Sequence, residues 1–280
     1  MTVNVRKQCL PLVLLLSWCT TLQAKEIETV SAGDWQISLA AGYGALENPR
    51  AKVENINTWI LPTWYYYGEN FYVENFTLGY SLYESESFIV DLQTRFNEDG
   101  FFYEFDGLNK LLLSDILGYT PVKQPINPKV VKFEEIERNL SYLGGLNATW
   151  VTPYLDISLG YFHDITGVHQ GNEIQLRLKR SQAFSWGALG FEIGAIRKSE
   201  NLVGYYYQLT KEEEGPLRTK YQPSAAINYH ARSVVNVPIF DSVNFVAILE
   251  YTWLGQEITD SVLIDKAGYI SGFVGISYDF

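Results

Sequence analysis

From about residue 35 onward the chain alternates apolar and polar side chains in segments of roughly ten residues, separated by turn residues. "WQISLAAGYG" puts Trp35, Ile37, Leu39, Ala41 and Tyr43 on one face. "FIVDLQTRF" sets Phe88, Val90, Leu92 and Phe96 against Asp91, Gln93 and Arg95. "LSYLGGLNATW" and "YLDISLGY" repeat the pattern, and "EIQLRLKRS" is its sharpest form, with Ile174, Leu176 and Leu178 opposing Glu173, Gln175, Arg177 and Lys179. The chain ends on "SGFVGISYDF", where Val274, Ile276, Tyr278 and Phe280 share a face opposite Ser277 and Asp279. With "TWILPTWYYY", "FYVENFTLGYSL", "ALGFEIGA", "YQPSAAINYHARS" and "NFVAILEYTWLG", eleven strands are recognisable.

Period-two alternation fits a sandwich with one wet face or a barrel in a bilayer. Three features favour the barrel. The apolar faces run about nine to eleven residues, the length of a tilted membrane-crossing strand. Aromatic residues gather toward strand ends, among them Trp64, Tyr66, Trp150, Tyr206, Tyr251 and Trp253, as an interfacial belt requires. The polar faces carry full charges in mid-strand, which a sandwich core would not tolerate. The expected fold is therefore all-β, a transmembrane antiparallel up-and-down barrel. Such barrels normally have an even strand number, so twelve strands are predicted, with ten as the fallback. The missing strand is sought between Phe96 and Leu140, in "GFFYEF" or "KVVKFEE". The rest of 98–139 reads as one long loop region. Its "DGLNKLLLSDILGY" has helix-like spacing and is read as a loop packed on the barrel mouth, with a plug or lid as the alternative, and its "TPVKQPINPK" is an extended stretch stiffened by three prolines.

The inward face predicts a lumen network of Asp91, Arg95, Glu173, Arg177, Lys179, Glu192, His230, Arg232 and Glu250, with Asp156 and Asp279 on the same side. Mixed signs at close quarters favour internal ion pairs, whereas a ring of one sign would point to a selective pore. The turns are expected at Gly68-Glu69-Asn70, at Thr152-Pro153 and from Pro238 to Ser242.

"MTVNVRKQ", the apolar "LPLVLLL" and the small-residue end "TTLQA" read as a signal peptide spanning 1–24, leaving 25–280 as a single barrel domain. Both cysteines, Cys9 and Cys19, fall in that leader, so no disulfide, thiolate metal site or cysteine nucleophile is expected in the mature chain. Without Arg6 and Lys7 the formal charge of −11 becomes −13, which excludes a nucleic-acid footprint. No cofactor motif or metal-ligand run is present. His163 beside Asp164 makes a poor dyad, because adjacent strand residues face opposite ways. His163 and His169 read as flanking a turn, and "LTKEEEGPLR" as a solvated hairpin loop.

"GYGALENP", the "GENFYVENFTLGYSL" hairpin, "GYYYQLTKEEEGPLRTKYQPSAA" and "YISGFVGISYDF" together resemble the MipA/OmpV family of outer-membrane proteins. The segment from Asp99 to Asn139 is longer than that family's pattern. The resemblance implies a barrel in the outer membrane of a Gram-negative cell, without enzymatic activity. It also implies a scaffold role joining a lytic transglycosylase to a peptidoglycan synthase. A narrow channel for small solutes and a surface adhesin are the alternatives. Barrels of this kind contact outer-membrane lipids, and the barrel-assembly machinery reads their aromatic C-terminus. Val274, Ile276, Tyr278 and Phe280 are the corresponding signal here.

Overall fold

The computed structural model describes residues 32–103, 136–214 and 220–280, which form a closed antiparallel barrel of twelve strands, β12 pairing with β1. The strands are β1 (Trp35–Leu46), β2 (Ile56–Tyr67), β3 (Phe71–Glu74), β4 (Thr77–Glu84), β5 (Phe88–Phe96) and β6 (Tyr142–Val151), then β7 (Asp156–Asp164), β8 (Asn172–Phe184), β9 (Gly187–Lys198), β10 (Ala226–Phe240), β11 (Val243–Trp253) and β12 (Gly268–Asp279). The strand number is as the pattern predicts, but the missing strand lies elsewhere. "FYVENFTLGYSL" is not one strand: it folds back at Asn75, whose φ of 51° is the left-handed conformation that asparagine tolerates, giving β3 and β4. Residues 98–103 are helical. "KVVKFEE", "DGLNKLLLSDILGY", "TPVKQPINPK" and residues 1–24, where a leader is expected, lie outside the described residues.

Barrel closure follows from the alternation. Leu39, Ala41 and Tyr43 face out opposite Tyr278, Ile276 and Val274 across the β1–β12 seam, and Phe280 N–H donates to Ile37 O at 3.0 Å. The seam is tight at Gly42, where a Cβ would come within 2.1 Å of Val274 O. β10 runs through Pro238 to Phe240, so the turn expected from Pro238 begins only after Phe240. A register irregularity between those two residues absorbs the missing proline N–H.

The start of β1 and the end of β12 share one rim with the tight turns at 68–70, 85–87, 152–155, 185–186 and 241–242. The described parts of the long connections gather at the other rim and fold into a cap with its own core. The helix Glu200–Tyr207 supplies Leu202, Val203, Tyr206 and Tyr207, which pack with Phe102, Tyr103, Ile136, Leu209, Ile258, Leu263 and Tyr269. Each apolar side chain so buried is worth about 1.5–3 kcal/mol, enough in sum to order the loops. Tyr206 therefore does not stand in an aromatic belt. The run of tyrosines suits a belt at a strand end, yet Leu202/Tyr206 and Val203/Tyr207 are i,i+4 pairs on one face of a helix, and Tyr206 is wholly buried.

Candidate functional site: the capped lumen

Two buried arginines and one ion pair hold the cap. Arg50 donates to Phe102 O (2.9 Å) and Ile136 O (3.2 Å), with its guanidinium 3.9 Å above the Tyr103 ring. Arg138 donates to both carboxylate oxygens of Glu213 (2.7 and 2.8 Å) and to Tyr205 O and Gln208 O. "LTKEEEGPLR" is thus not simply a solvated loop: residues Lys211–Glu214 form a short helix that delivers Glu213 to Arg138. That contact holds the Glu213 carboxyl below its ordinary range. Lys198, at the mouth end of β9, reaches both oxygens of Asp99 (2.6 and 2.5 Å), and Tyr207 O–H donates to the same carboxylate at 2.5 Å. The cap is therefore tied to the wall by charge as well as apolar burial.

Below the cap the inward residues converge as the alternation dictates. Arg95 donates to Gln175 (2.7 Å) and Glu98 (2.5 Å), while Glu173 accepts from Asn97 (2.9 Å) and Gln175 (2.7 Å). Arg177 donates to Gln175. His230 and Glu192 meet at 3.0 Å, and Arg232 lies 4.0 Å from Glu250. Asp91 sits apart, accepting from Tyr72 O–H at 3.2 Å. Lys179 stays exposed, in register with Asp156 and Glu192. A cavity of about 430 Å3 remains, lined among others by Glu74, Arg95, Arg177, His230, Arg232 and Glu250. On the outer face lie Trp64, Tyr66 and Trp150 toward the terminal rim and Tyr251 and Trp253 toward the mouth. Val274, Ile276, Tyr278 and Phe280 line the closing strand on the same face.

Asp99, Arg50, Arg138, Ser141 and His169 are not legible in strand periodicity. Lys198 alone carries a signal, because it continues the inward series of Glu192, Gly194 and Ile196. Ser141, His169 and Asp164 form a triad-like group: Ser141 Oγ and His169 Nε2 are 3.0 Å apart, and His169 Nδ1 is 3.9 Å from Asp164 Oδ2. The hydrogen bonds run the wrong way for catalysis. Gly171 N–H donates to His169 Nδ1 at 2.9 Å, so the ring proton sits on Nε2 and points at Ser141. Asp164 instead accepts from the backbone N–H groups of residues 166, 167, 169 and 170, shaping the 165–171 loop. Burial pushes the His169 pKa down, keeping the ring neutral. A serine nucleophile needs a neighbouring base with a free nitrogen, and this imidazole offers none. Among the described residues no group of three His, Cys, Asp or Glu side chains is placed to hold a metal ion.

The family model described as "MltA-interacting protein MipA" matches residues 37–280. Two curated relatives named "Putative outer membrane protein YiaT", from Escherichia coli O157:H7 and Escherichia coli K12, are 24% identical over 260 residues, spanning 89% of this chain and 93% of theirs. Among solved structures, a porin is 9% identical (TM-score 0.36), covering 88% of this chain and 100% of that one. The CymD monoaromatic hydrocarbon channel is 11% identical (TM-score 0.33), covering 89% of this chain and 88% of that one. Likeness at that level says nothing of function. With the family pattern running through β1 to β12 and the barrel closed on itself, the chain belongs to the MipA family of outer-membrane β-barrel proteins.

Proposed function

We propose that this protein is a non-conducting, non-enzymatic barrel that organises cell-wall-remodelling enzymes at the inner side of the outer membrane. The observation that carries the reading is the cap: an apolar core stapled by Arg50, Arg138 and the Asp99–Lys198 pair sits across the loop mouth. A mouth capped in this way favours a binding role over conduction. The family's description names an interaction with MltA, a lytic transglycosylase, which makes such an enzyme the first partner to seek. Barrels of this type keep short turns on the periplasmic side. The partner-facing surface is then the rim of tight turns, where Glu69, Glu84, Glu86 and Asp241 are exposed, and a basic partner surface would complement it. Val274, Ile276, Tyr278 and Phe280 serve the assembly machinery, and the outer aromatics contact lipid.

Affinity capture from detergent-solubilised envelopes is expected to recover a lytic transglycosylase, with or without a peptidoglycan synthase. Planar-bilayer recording of the purified barrel is expected to be silent. Steady conductance steps with no captured enzyme would overturn the proposal in favour of a narrow channel.

A further inference from the structure

The wall of this barrel is not of even height. β2 is twelve residues long, while β3, its neighbour, has four. Of β2, β3 pairs with Tyr65, Tyr66 and Tyr67 alone. Asn75 then ends the seam: its N–H donates to Trp64 O (2.8 Å), and its side-chain oxygen accepts from Trp64 N–H (3.0 Å). Beyond that point, residues Ile56–Thr63 have no strand beside them on this side among the described residues, roughly 25 Å of strand edge at ~3.3 Å per residue. An open edge inside a membrane must satisfy its own backbone, and this one carries two such devices. Pro62 has no N–H to satisfy, and Thr58 Oγ1 both donates to Ile60 O (2.7 Å) and accepts from Ile60 N–H (3.3 Å). The sill of the notch is aromatic. Phe76 packs on Trp64 (5.1 Å) and Phe96 (5.5 Å), and Tyr142 O–H donates to Phe76 O at 2.6 Å.

The same hairpin tip, Glu74 to Thr77, lines the 430 Å3 lumen cavity whose far wall is Arg177, Glu192, His230, Arg232 and Glu250. A chamber of that size falls within the range of small-ligand sites, about 300–1,000 Å3. Among the described residues its charges are not all matched by hydrogen bonds: Arg177 donates to Gln175, and Arg232 lies 4.0 Å from Glu250, so two guanidiniums, with five donors each, keep donors to offer the chamber. Among the same residues Glu250 accepts a long bond from Thr252 (3.4 Å), and Glu74 accepts one from Tyr67.

We propose that the notch between β2 and the β3–β4 hairpin is a lateral entry through which a membrane amphiphile with a phosphate-and-amine headgroup binds. The phosphate lies between Arg177 and Arg232, the amine is met by Glu74 and Glu250, and the acyl chain passes over Phe76 into the bilayer. Guanidinium forks suit phosphate oxygens, and the apolar sill suits a chain that the polar lumen would reject. The proposal is independent of the scaffold role, because it concerns the wall and not the periplasmic rim.

The test is native mass spectrometry of the full protein in a maltoside detergent, titrated with lysophosphatidylethanolamine. One bound molecule is expected, with no binding of phosphoethanolamine alone. Arg232→Gln and Arg177→Gln are each expected to weaken it at least tenfold while keeping the heat-modifiable gel shift of a folded barrel. In a Cys9→Ser, Cys19→Ser background, Asn75→Cys is expected to react with a bilayer-partitioned maleimide and to be protected by the lysolipid. Trp150→Cys, on the outer wall away from the notch, is expected to react without protection. Equal binding by the arginine variants, binding of the headgroup alone, or an unprotected Asn75→Cys would each overturn the proposal.

Discussion

Lys198 and Asp99 lie ninety-nine positions apart in the chain, yet the ammonium sits 2.5–2.6 Å from both carboxylate oxygens, with both side chains almost wholly buried. The pair joins the last inward position of β9 to the helical turn that begins the cap. Removing one member of a buried pair strands the other charge and costs about 3–5 kcal/mol. Asp99→Ala is therefore expected to loosen the cap without unfolding the wall. Limited proteolysis should show new cleavage between 200 and 214 while the barrel keeps its gel shift. Asp99→Ala with Lys198→Met should recover part of the protection; additive damage from the two changes would count against a direct pair.

Arg138 and Glu213 make the cap sensitive to acid. The Glu213 pKa is lowered, first by the Arg138 hydrogen bond, so its contribution is fully present above the ordinary glutamate value of 4.5 and is lost as pH falls through the lower folded value. Hydrogen exchange in residues 200–214 should rise below that pH in the native protein. Glu213→Gln should show the faster exchange at neutral pH and little further change on acidification. An unchanged pH profile in the variant would show that another group sets it.

The Ser141–His169 contact is expected to be structural. A fluorophosphonate probe should leave Ser141 unmodified, and nitrogen NMR should find His169 mostly neutral with its proton on Nε2 at pH 6.5, because burial lowers its pKa. Ser141→Ala should cost about 1–3 kcal/mol of local stability, since it leaves buried donors without a partner. Covalent labelling of Ser141 would instead indicate a nucleophile.

Gly79 lies under the Tyr72 ring, where a Cβ would fall 2.0 Å from the ring carbon Cζ. Gly79→Val should push that ring aside, break the Tyr72–Asp91 bond and destabilise the half-height hairpin. The expected measure is a lower unfolding temperature of the barrel, while Gly167→Ala, with nothing within 4 Å of the added carbon, should show only the smaller cost of its positive φ. Equal losses would remove the packing argument.

At the closing strand, deleting Phe280 is expected to reduce membrane insertion far more than Ser277→Ala. Phe280 ends the outward stripe, stacks edge-on against Tyr278 at 4.9 Å and ties the seam through Ile37 O. Equal insertion of the two variants, measured as the heat-modifiable fraction in outer membranes, would refute a role for the aromatic end.

The sequence by itself determined the barrel, because a period of two is a local property: each inward residue from Asp91 to Glu250 is placed by its neighbours and by the bilayer outside. It also placed the closing stripe from Val274 to Phe280. The tertiary structure decided everything that depends on residues distant in the chain. "FYVENFTLGYSL" keeps its alternation on both sides of Asn75, so only the pairing of β3 with Tyr65–Tyr67 reveals a hairpin of half height and the notch above it. "GYYYQ" is aromatic enough for a membrane belt, and only burial against Phe102, Tyr103 and Ile258 makes it a cap helix. Asp99 meets Lys198, and His169 meets Ser141, across loops whose spacing carries no period. Charge pairing and core burial act through space, so a capped mouth above a notched wall becomes visible only when the loops are folded onto the barrel.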